Sequence, residues 1–299
     1  MNDQAQSLRK LVSISERERS LDTQGSQVSG LAKFITVTSG KGGVGKSNFT
    51  LNFALSLQSL GKRVLIFDAD IGMANIDVLM GTTSRYNLHH LLQREKSIQE
   101  IVANGPNGLS YISGGSGITD LISLSEHDIQ YFTSQIELLA GQVDYIIFDT
   151  GAGLSKENIQ FITSADECLV VTTPEPTAIT DAYALIKIIH GIDQDVAFQL
   201  IVNRVDNENE AMFTANKIKL VARKFLNMDI PMLGYISDDY HVVQSVKRQV
   251  PFTIAFPNSV ASKDVQRLAK RYVSIPSVSE RETLTGIKGF MLKWLHRTK

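Results

Sequence analysis

Short apolar runs typical of β-strands alternate along this chain with amphipathic windows typical of α-helices. The strand-like runs lie near residues 34–38, 63–68, 108–112, 144–149, 167–173, 196–203 and 230–236. The helical windows lie near residues 47–60, 125–140, 177–190, 208–226 and 258–273. This alternation predicts an α/β fold whose mostly parallel β-sheet is flanked by helices on both faces. Ligands of such sheets bind at the carboxyl ends of the strands.

The sequence divides into three segments. Residues 1–30 are polar, with charged and Ser/Gln/Gly-rich stretches, which predicts a short helix followed by a flexible linker. Residues 31–275 carry the alternating pattern and form one predicted domain. Residues 276–299 begin as a linker and end in a window typical of a separate C-terminal helix.

Composition narrows the class of protein. A net charge of −1 and a pI near 6.6 give no sign of a nucleic-acid partner. The single cysteine, Cys168, can form neither an intrachain disulfide nor a cysteine cluster, and the histidines show no metal-ligand spacing. The polar start and the lack of an apolar run of about 20 residues argue against a signal peptide or a membrane span. We therefore expect a cytoplasmic location.

A glycine-rich phosphate loop connects the first predicted strand to the first predicted helix. Its residues are Gly40, Lys41, Gly42, Gly43, Val44, Gly45, Lys46 and Ser47. In this motif backbone N–H groups surround phosphate oxygens, Lys46 supplies a positive charge, and the Ser47 hydroxyl can bind Mg²⁺. The strand, loop and helix follow in the required order, so the sequence predicts binding of a nucleoside triphosphate.

Three carboxylates follow predicted buried strands. Asp68 and Asp70 come after residues 64–67, and Asp149 comes after residues 145–148 and before a glycine loop. One acid of the pair can hold Mg²⁺ through water while the other orients the attacking water, and Asp149 matches the acidic magnesium-side strand of phosphate-loop nucleotidases. The alternative is that these acids cap helices or meet solvent.

The residues alone do not decide whether the base of the nucleotide is adenine or guanine. Asn203 and Arg204 lie at a predicted strand end. The run Asn203, Arg204, Val205, Asp206 is close to the guanine-reading motif of GTPases, and Asn203 also suits contact with adenine.

The C-terminal window has the pattern of an amphipathic helix that binds membrane. Its apolar residues recur at helical spacing, and lysine, arginine and histidine surround them. These apolar residues are Ile287, Phe290, Met291, Trp294 and Leu295. The alternative is a final helix packed on the sheet of the same chain. We expect the helix to be stowed in the monomer and released on dimerisation.

Three motifs together resemble the MinD-like deviant Walker A ATPases. They are residues 41–47, residues 68–77 and residues 149–153, and the resemblance spans most of residues 31–275. It implies a P-loop NTPase fold of the SIMIBI type and hydrolysis of ATP to ADP and phosphate.

By the same resemblance, two subunits join face to face when ATP binds. Lys41 would then reach the phosphates of the partner subunit, and Lys46 would bind those of its own subunit. Asp70 would position the water, and Ser47, Asp68 and Asp149 would support Mg²⁺. Residues 40–47 with Asn203 and Arg204 would hold the nucleotide, with Asn203 at the adenine.

The N-terminus resembles the activator motif of the flagellar-number regulators, the FlhG branch of this family, also called FleN or YlxH. The matching residues are Asp3, Gln4, Leu8 and Arg9. In that branch the motif stimulates FlhF, a GTPase of the signal-recognition-particle type, and Gln4 would complete the active site of the GTPase. The alternative is a disordered polar start.

The resemblance implies a homodimer that docks reversibly on the anionic inner face of the cell membrane. It also implies that the FlhF-type GTPase and components of the flagellar C-ring are partners, and that the protein binds no specific nucleic acid. Three other functions remain to be distinguished: a ParA-type DNA-partitioning ATPase, a MinD-type regulator of the division site, and a nucleotide-gated scaffold without turnover.

Overall fold

The computed structural model describes residues 32–70, 75–115 and 126–275, together with residues 290, 293 and 294. These residues contain β1 (Lys33–Ser39), β2 (Val64–Ala69), β3 (Ala103–Asn104), β4 (Ser110–Ser113), β5 (Tyr145–Ala152), β6 (Glu167–Thr172), β7 (Phe198–Val205) and β8 (Met232–Ser237). The α-helices are α1 (Lys46–Ser59), α2 (Asn75–Met80), α3 (Leu88–Leu92), α4 (Ile98–Ile101), α5 (Glu126–Ala140), α6 (Lys156–Ser164), α7 (Pro176–Ile192), α8 (Glu208–Leu226), α9 (Tyr240–Arg248), α10 (Phe252–Ala255) and α11 (Val260–Ser274). A short 3-10 helix covers Pro106–Gly108.

The described strands form one sheet in the order β3-β4-β2-β5-β1-β6-β7-β8. Every neighbouring pair is parallel except β3 and β4. Because parallel strands point the same way, β1, β2, β5 and β7 end at the same edge of the sheet. Asp68 near the end of β2, Asp149 in the last half of β5 and the phosphate loop after β1 therefore meet there.

Alternating side chains of the central strands supply the cores on the two faces of the sheet. Ile35 and Val37 of β1 pack with residues of α1 and α11. Phe34 faces the other side and packs with residues of α5 and α6. A third cluster joins β6 and β7 to α7 and α8 and contains Cys168, whose burial raises the pKa of its thiol.

The predicted α/β class with a mostly parallel sheet is confirmed. The predicted strands and helices agree with the observed ones within a few residues. The prediction missed β3 and the short helices α2, α3, α4 and α10, whose two to six residues are too few for a period to show. It also missed α9, which contains three valines, a residue type enriched in strands.

Two residues of the C-terminal window pack against the body of the protein. Phe290 and Trp294 are buried. The Phe290 ring stacks on Phe34 and Phe148, with centroids 4.8 and 5.1 Å apart, and the Trp294 ring meets Phe161 edge-on at 4.9 Å. Lys293 between them is exposed. This packing agrees both with the stowed helix expected of the monomer and with the alternative of a final helix packed on the sheet, so the release stays a prediction.

Some predictions fall outside the described residues. Asp3, Gln4, Leu8 and Arg9 lie there, and so do Ile287, Met291 and Leu295. The proposed division of the chain into N-terminal segment, domain and C-terminal helix therefore stays a prediction.

Candidate nucleotide-binding site

The phosphate loop connects the end of β1 to the start of α1. Gly43 and Gly45 have φ angles of 81° and 94°, a left-handed region that favours glycine. A Cβ on Gly45 would collide with the side-chain nitrogen of Asn203. That nitrogen donates a hydrogen bond to the carbonyl of Val44 at 2.7 Å. Asn203 at the end of β7 thus holds the loop in place.

Lys46 and Asp149 form a buried ion pair at the centre of the site. The Lys46 Nζ lies 2.9 Å from Asp149 Oδ1 and 3.2 Å from Ser47 Oγ. Thr50 also donates to Asp149 Oδ1 at 2.7 Å. The lysine, the serine and the acid predicted for this site therefore lie together at one edge of the sheet.

Asp68 lies beside Asp149 because β2 and β5 pair in register at these residues. Burial, reinforced by the charge of Asp149, raises the pKa of Asp68 to about 7. Its two oxygens accept hydrogen bonds from the backbone N–H groups of Asp70 and Ile76 at 3.3 and 3.2 Å. Asp68 therefore holds the chain that leaves β2, in addition to any role with Mg²⁺.

Asp70 is half-buried, and burial raises the pKa of its carboxyl, although Lys46 opposes the shift. Asn75 donates to its Oδ2 at 3.1 Å. Its Oδ1 lies 3.2 Å from the point that a Cβ on Gly151 would occupy, so it faces the glycine-containing end of β5. A carboxylate in this place can accept a hydrogen bond from a water near the γ-phosphate.

The polar atoms of this pocket suit a Mg²⁺ ion and phosphate. Asp149 Oδ2 at this centre is buried and has no hydrogen-bond partner among the described residues, and the same holds for Thr38 Oγ1 and Thr173 Oγ1 near the carboxyl ends of β1 and β6. Those residues also contain no group of three His, Cys, Asp or Glu that could hold a metal alone. Mg²⁺ commonly takes one or two protein ligands and completes its shell with phosphate oxygens and water. The Ser47 hydroxyl with the Asp68 and Asp149 carboxylates fits that pattern.

Lys41 does not join this centre. Its Nζ lies 2.9 Å from both Glu175 Oε2 and Thr177 Oγ1, at the start of α7. The hydrogen bond from Lys41, and then its charge, lowers the pKa of Glu175. The ion pair is exposed, with 39% of the Lys41 side chain and 58% of the Glu175 side chain accessible. An ion pair this exposed contributes little to stability, roughly 0–1 kcal/mol, so Lys41 can leave Glu175 for another anionic partner at little cost.

A cavity of about 310 Å³ lies beside the loop and is large enough for a nucleoside. Gly45, Asn48, Asn203, Arg204, Ser237, Asp238 and Asp239 line its polar side. Phe49, Ile236, Val242, Val243 and Phe252 line its apolar side. Asp206 is exposed and is absent from this lining, so the acid that a guanine-reading motif requires is not in place.

Comparison with known proteins decides the family. A profile of the ParA family, described as NUBPL iron-transfer P-loop NTPase, matches residues 30–273. The chain belongs to the ParA/MinD family of P-loop ATPases. It is 37% identical over 302 residues to the flagellum site-determining protein YlxH of Helicobacter pylori, covering 99% of this chain and 100% of that protein.

Two further ParA/MinD relatives agree with this assignment. The antiactivator FleN of Pseudomonas aeruginosa is 34% identical over 242 residues, covering 81% of this chain and 86% of its own. MinD in the MinC:MinD cell division complex of Aquifex aeolicus is 28% identical. Its structure matches with a TM-score of 0.65 over 81% of this chain and 96% of that chain. The predicted family, fold and ATPase activity are confirmed.

Sequence reasoning missed several residues of the site. Thr38, Thr173 and Glu175 follow or end strands at the same edge, as do Asp238 and Asp239 after β8. Asp68 and Asp149 were identified because they lie at the ends of predicted strands, and the same criterion would have found Glu175, Asp238 and Asp239. Among the described helices, none is both long and apolar enough to cross a bilayer.

Proposed function

We propose that this ATPase pairs with a second copy of itself when it binds ATP and controls the number and placement of flagella. The position of Lys41 carries the proposal. It sits in the phosphate loop, yet its amine pairs with an exposed glutamate at the rim instead of the buried centre. ATP with one Mg²⁺ still carries excess negative charge, and a lysine reaching in from a partner subunit would stabilise the charge that shifts in phosphoryl transfer.

Different residues of the site bind the phosphates, support Mg²⁺ and orient the attacking water in the proposed reaction. Lys46 leaves Asp149 to bind the phosphates, and the Ser47 hydroxyl, with Asp68 and Asp149 behind it, supports Mg²⁺. Bound Mg²⁺ would neutralise charge on the phosphate oxygens. Asp70 orients the water that attacks the γ-phosphate, and ADP and phosphate are the products.

We propose that the nucleotide also controls attachment to membrane. Phe290 and Trp294 are stowed against Phe34, Phe148 and Phe161, so these two apolar side chains cannot reach a lipid surface while they stay there. Two released helices on one dimer bind more tightly than one, because the second contact is intramolecular. ATP would thereby place the protein at the anionic inner surface of the membrane, and hydrolysis would return it to the cytoplasm.

The names of the relatives support a flagellar role, since one is a flagellum site-determining protein and another an antiactivator. By the resemblance of Asp3, Gln4, Leu8 and Arg9 to the activator motif, we propose that an FlhF-type GTPase is a partner. Components of the flagellar C-ring are proposed as further partners. A GTPase assay of FlhF with the full chain and with a Gln4→Ala variant tests the first of these.

Light scattering after size-exclusion chromatography tests the pairing. The full chain would be run without nucleotide, with ADP, and with a nonhydrolysable ATP analogue and Mg²⁺. We expect the analogue to double the mass of the wild type but not of Lys41→Ala. Lys62→Ala, at the opposite end of the sheet, is the control and should still dimerise. A monomeric wild type with bound analogue, or a Lys41→Ala variant that dimerises normally, would refute the proposal.

A further inference from the structure

Helix α6 holds the glycine loop, residues 151–153, in which β5 ends. The Asn158 Nδ2 donates to the carbonyl oxygens of Gly151 and Gly153 at 3.0 and 3.1 Å, and Asn158 is buried. The Ser155 hydroxyl caps the helix by accepting the Asn158 N–H at 3.2 Å. Gly151 lies between this clamp and Asp70. The geometry of Asn158 therefore sets where the loop, and the water-orienting carboxylate beside it, can lie.

The same turn of α6 holds the C-terminal residues. The Gln160 Nε2 donates to the carbonyl oxygen of Trp294 at 3.3 Å, and Gln160 is buried. The Phe161 ring packs against Trp294 on one side and against Phe148 on the other, each at a centroid distance of 4.9 Å. Phe148 directly precedes Asp149 of the nucleotide site. Asn158, which holds the loop, is thus two residues from Gln160 and three from Phe161, which hold Trp294.

We propose that Asn158 is a positioning residue that couples the glycine loop to the stowed C-terminal residues. A packed helical turn moves as a unit, so a shift of Gly151 and Gly153 towards a γ-phosphate draws Asn158 with it. The same shift displaces Gln160 and Phe161 from Trp294. The inference rests on the proposed release of the C-terminal helix by ATP and names the residues that transmit it.

Thermodynamic linkage makes the coupling testable from both ends. If ATP binding favours release of Trp294, then release of Trp294 must favour ATP binding by the same factor. Loss of the Asn158 clamp should break this link without removing any side chain that binds the phosphates or that contacts Trp294. Loss of the Gln160 bond should release the C-terminal residues before any nucleotide binds.

Trp294 is the single tryptophan of the chain, so its fluorescence reports the stowed state directly. The emission maximum and the acrylamide quenching constant would be measured on the full chain with ADP, and with a nonhydrolysable ATP analogue and Mg²⁺. In the wild type we expect the analogue to shift the emission to the red and to raise the quenching constant, because a released ring is open to solvent and to acrylamide. The coupling itself should change affinity roughly fivefold, at the lower end of usual coupling factors. ADP should leave both close to the nucleotide-free values.

Three variants separate the coupling from simple structural damage. Asn158→Ala should bind a fluorescent ATP analogue but lose the Trp294 response. Gln160→Ala should show raised quenching without nucleotide and bind the analogue more tightly by a similar factor. Lys156→Ala, an exposed position on the same helix, is the control and should behave as wild type.

Failure of the coupling and failure of the proposed function give different results. A wild-type Trp294 signal that does not change on analogue binding would overturn nucleotide-controlled release, and the coupling with it. A wild-type response that persists in Asn158→Ala would overturn the coupling alone. Should Asn158→Ala fail to fold, a Gln160→Ala variant with unchanged quenching and unchanged analogue affinity would likewise overturn the coupling.

Discussion

At the scale of single residues, Asp149 is where the contacts of the nucleotide site converge. One of its oxygens accepts bonds from Lys46 and Thr50, and the other has no partner among the described residues. Its register with Asp68 places two carboxylates side by side away from water. Such an arrangement disfavours charge on Asp68 and stores an unfavourable interaction that a cation would relieve.

The raised pKa of Asp68 predicts how stability depends on pH without nucleotide and Mg²⁺. The pKa of about 7 in the folded chain exceeds the ordinary 3.8, so the folded state binds more protons between these values. The stability supplied by this proton is complete at low pH and is lost as pH rises through 7. We expect Asp68→Asn, which cannot ionise, to lack this loss of stability between pH 4 and pH 8, although it gives up one of the two backbone hydrogen bonds that Asp68 accepts.

Urea unfolding from pH 4 to pH 8 measures this difference. Asp144→Asn is a control in which the change in unfolding free energy should have the opposite sign. The hydrogen bond from Arg63 lowers the pKa of Asp144, so the ionised carboxylate stabilises the fold. That variant should lose stability at neutral pH. An Asp68→Asn variant whose stability falls between pH 4 and pH 8 as much as that of the wild type would contradict the prediction.

Alanine substitutions at Gly43 and Gly45 distinguish the cost of backbone strain from the cost of a steric collision. Gly45→Ala adds a methyl group against the Asn203 side chain in a left-handed backbone, whereas Gly43→Ala meets no neighbouring atom and suffers strain alone. We expect Gly43→Ala to cost about 1–2 kcal/mol in unfolding free energy and Gly45→Ala distinctly more. Gly45→Ala should also weaken binding of a fluorescent nucleotide more than Gly43→Ala. Equal losses in both variants would show that the Asn203 contact is unimportant.

At the scale of elements, the sequence predicted the strands and long helices well because each runs long enough for its apolar pattern to repeat. The phosphate loop and the acids after β2 and β5 could be placed from strand ends alone. Asn158 and Gln160 could not, since a polar residue inside a helical window gives no sign of which carbonyl it will meet. Contacts between distant elements depend on packing that a linear pattern does not encode.

Helix α11 depends on such a contact. Asp264 Oδ2 accepts the N–H and the hydroxyl of Ser237 at 2.9 and 2.7 Å, and Asp264 is buried. We expect Asp264→Ala to leave the Ser237 N–H unsatisfied and to lower the free energy of unfolding by about 1–3 kcal/mol. Ser237 lines the nucleoside cavity, so nucleotide affinity should fall as well.

The matched control is Arg267→Ala. Arg267 pairs with the other oxygen of Asp264 at 3.0 Å but is 63% exposed, so its removal should change stability by less than about 1 kcal/mol. Urea denaturation and nucleotide titration of both variants make the comparison. Equal effects would mean that the bond to β8 does not anchor the helix.

At the scale of the whole molecule, the sheet has two differently used faces. One packs permanently against α1 and α11, and the other receives Phe290 and Trp294 among the rings of Phe34 and Phe161. The pattern of the C-terminal window fitted both a membrane helix and a packed helix, because each requires the same apolar stripe. The folded chain shows the packed arrangement for Phe290 and Trp294, and the membrane role stays a proposal. Strand order could not be read from the pattern either, since strands adjacent in the sheet are distant in sequence.

Trp294 should stabilise the nucleotide-free fold. Trp294→Ala removes a buried ring that contacts Phe161 and Phe290, and core truncations of this size cost about 3–5 kcal/mol. Urea unfolding should show a loss in or somewhat below this range, because the C-terminal residues can also detach locally. Lys293→Ala, at the exposed neighbouring position, should change little. An unaffected Trp294→Ala variant would show that the contact adds nothing to the fold.

The burial of Cys168 has a practical consequence. Its thiol lies in the interior and its pKa is raised, so little reactive thiolate forms on the native protein near neutral pH. A cysteine introduced at the exposed Lys293 would then be the only ready target for a maleimide dye or spin label. Probes that test the proposed release can accordingly be attached without first replacing any natural residue of the sheet.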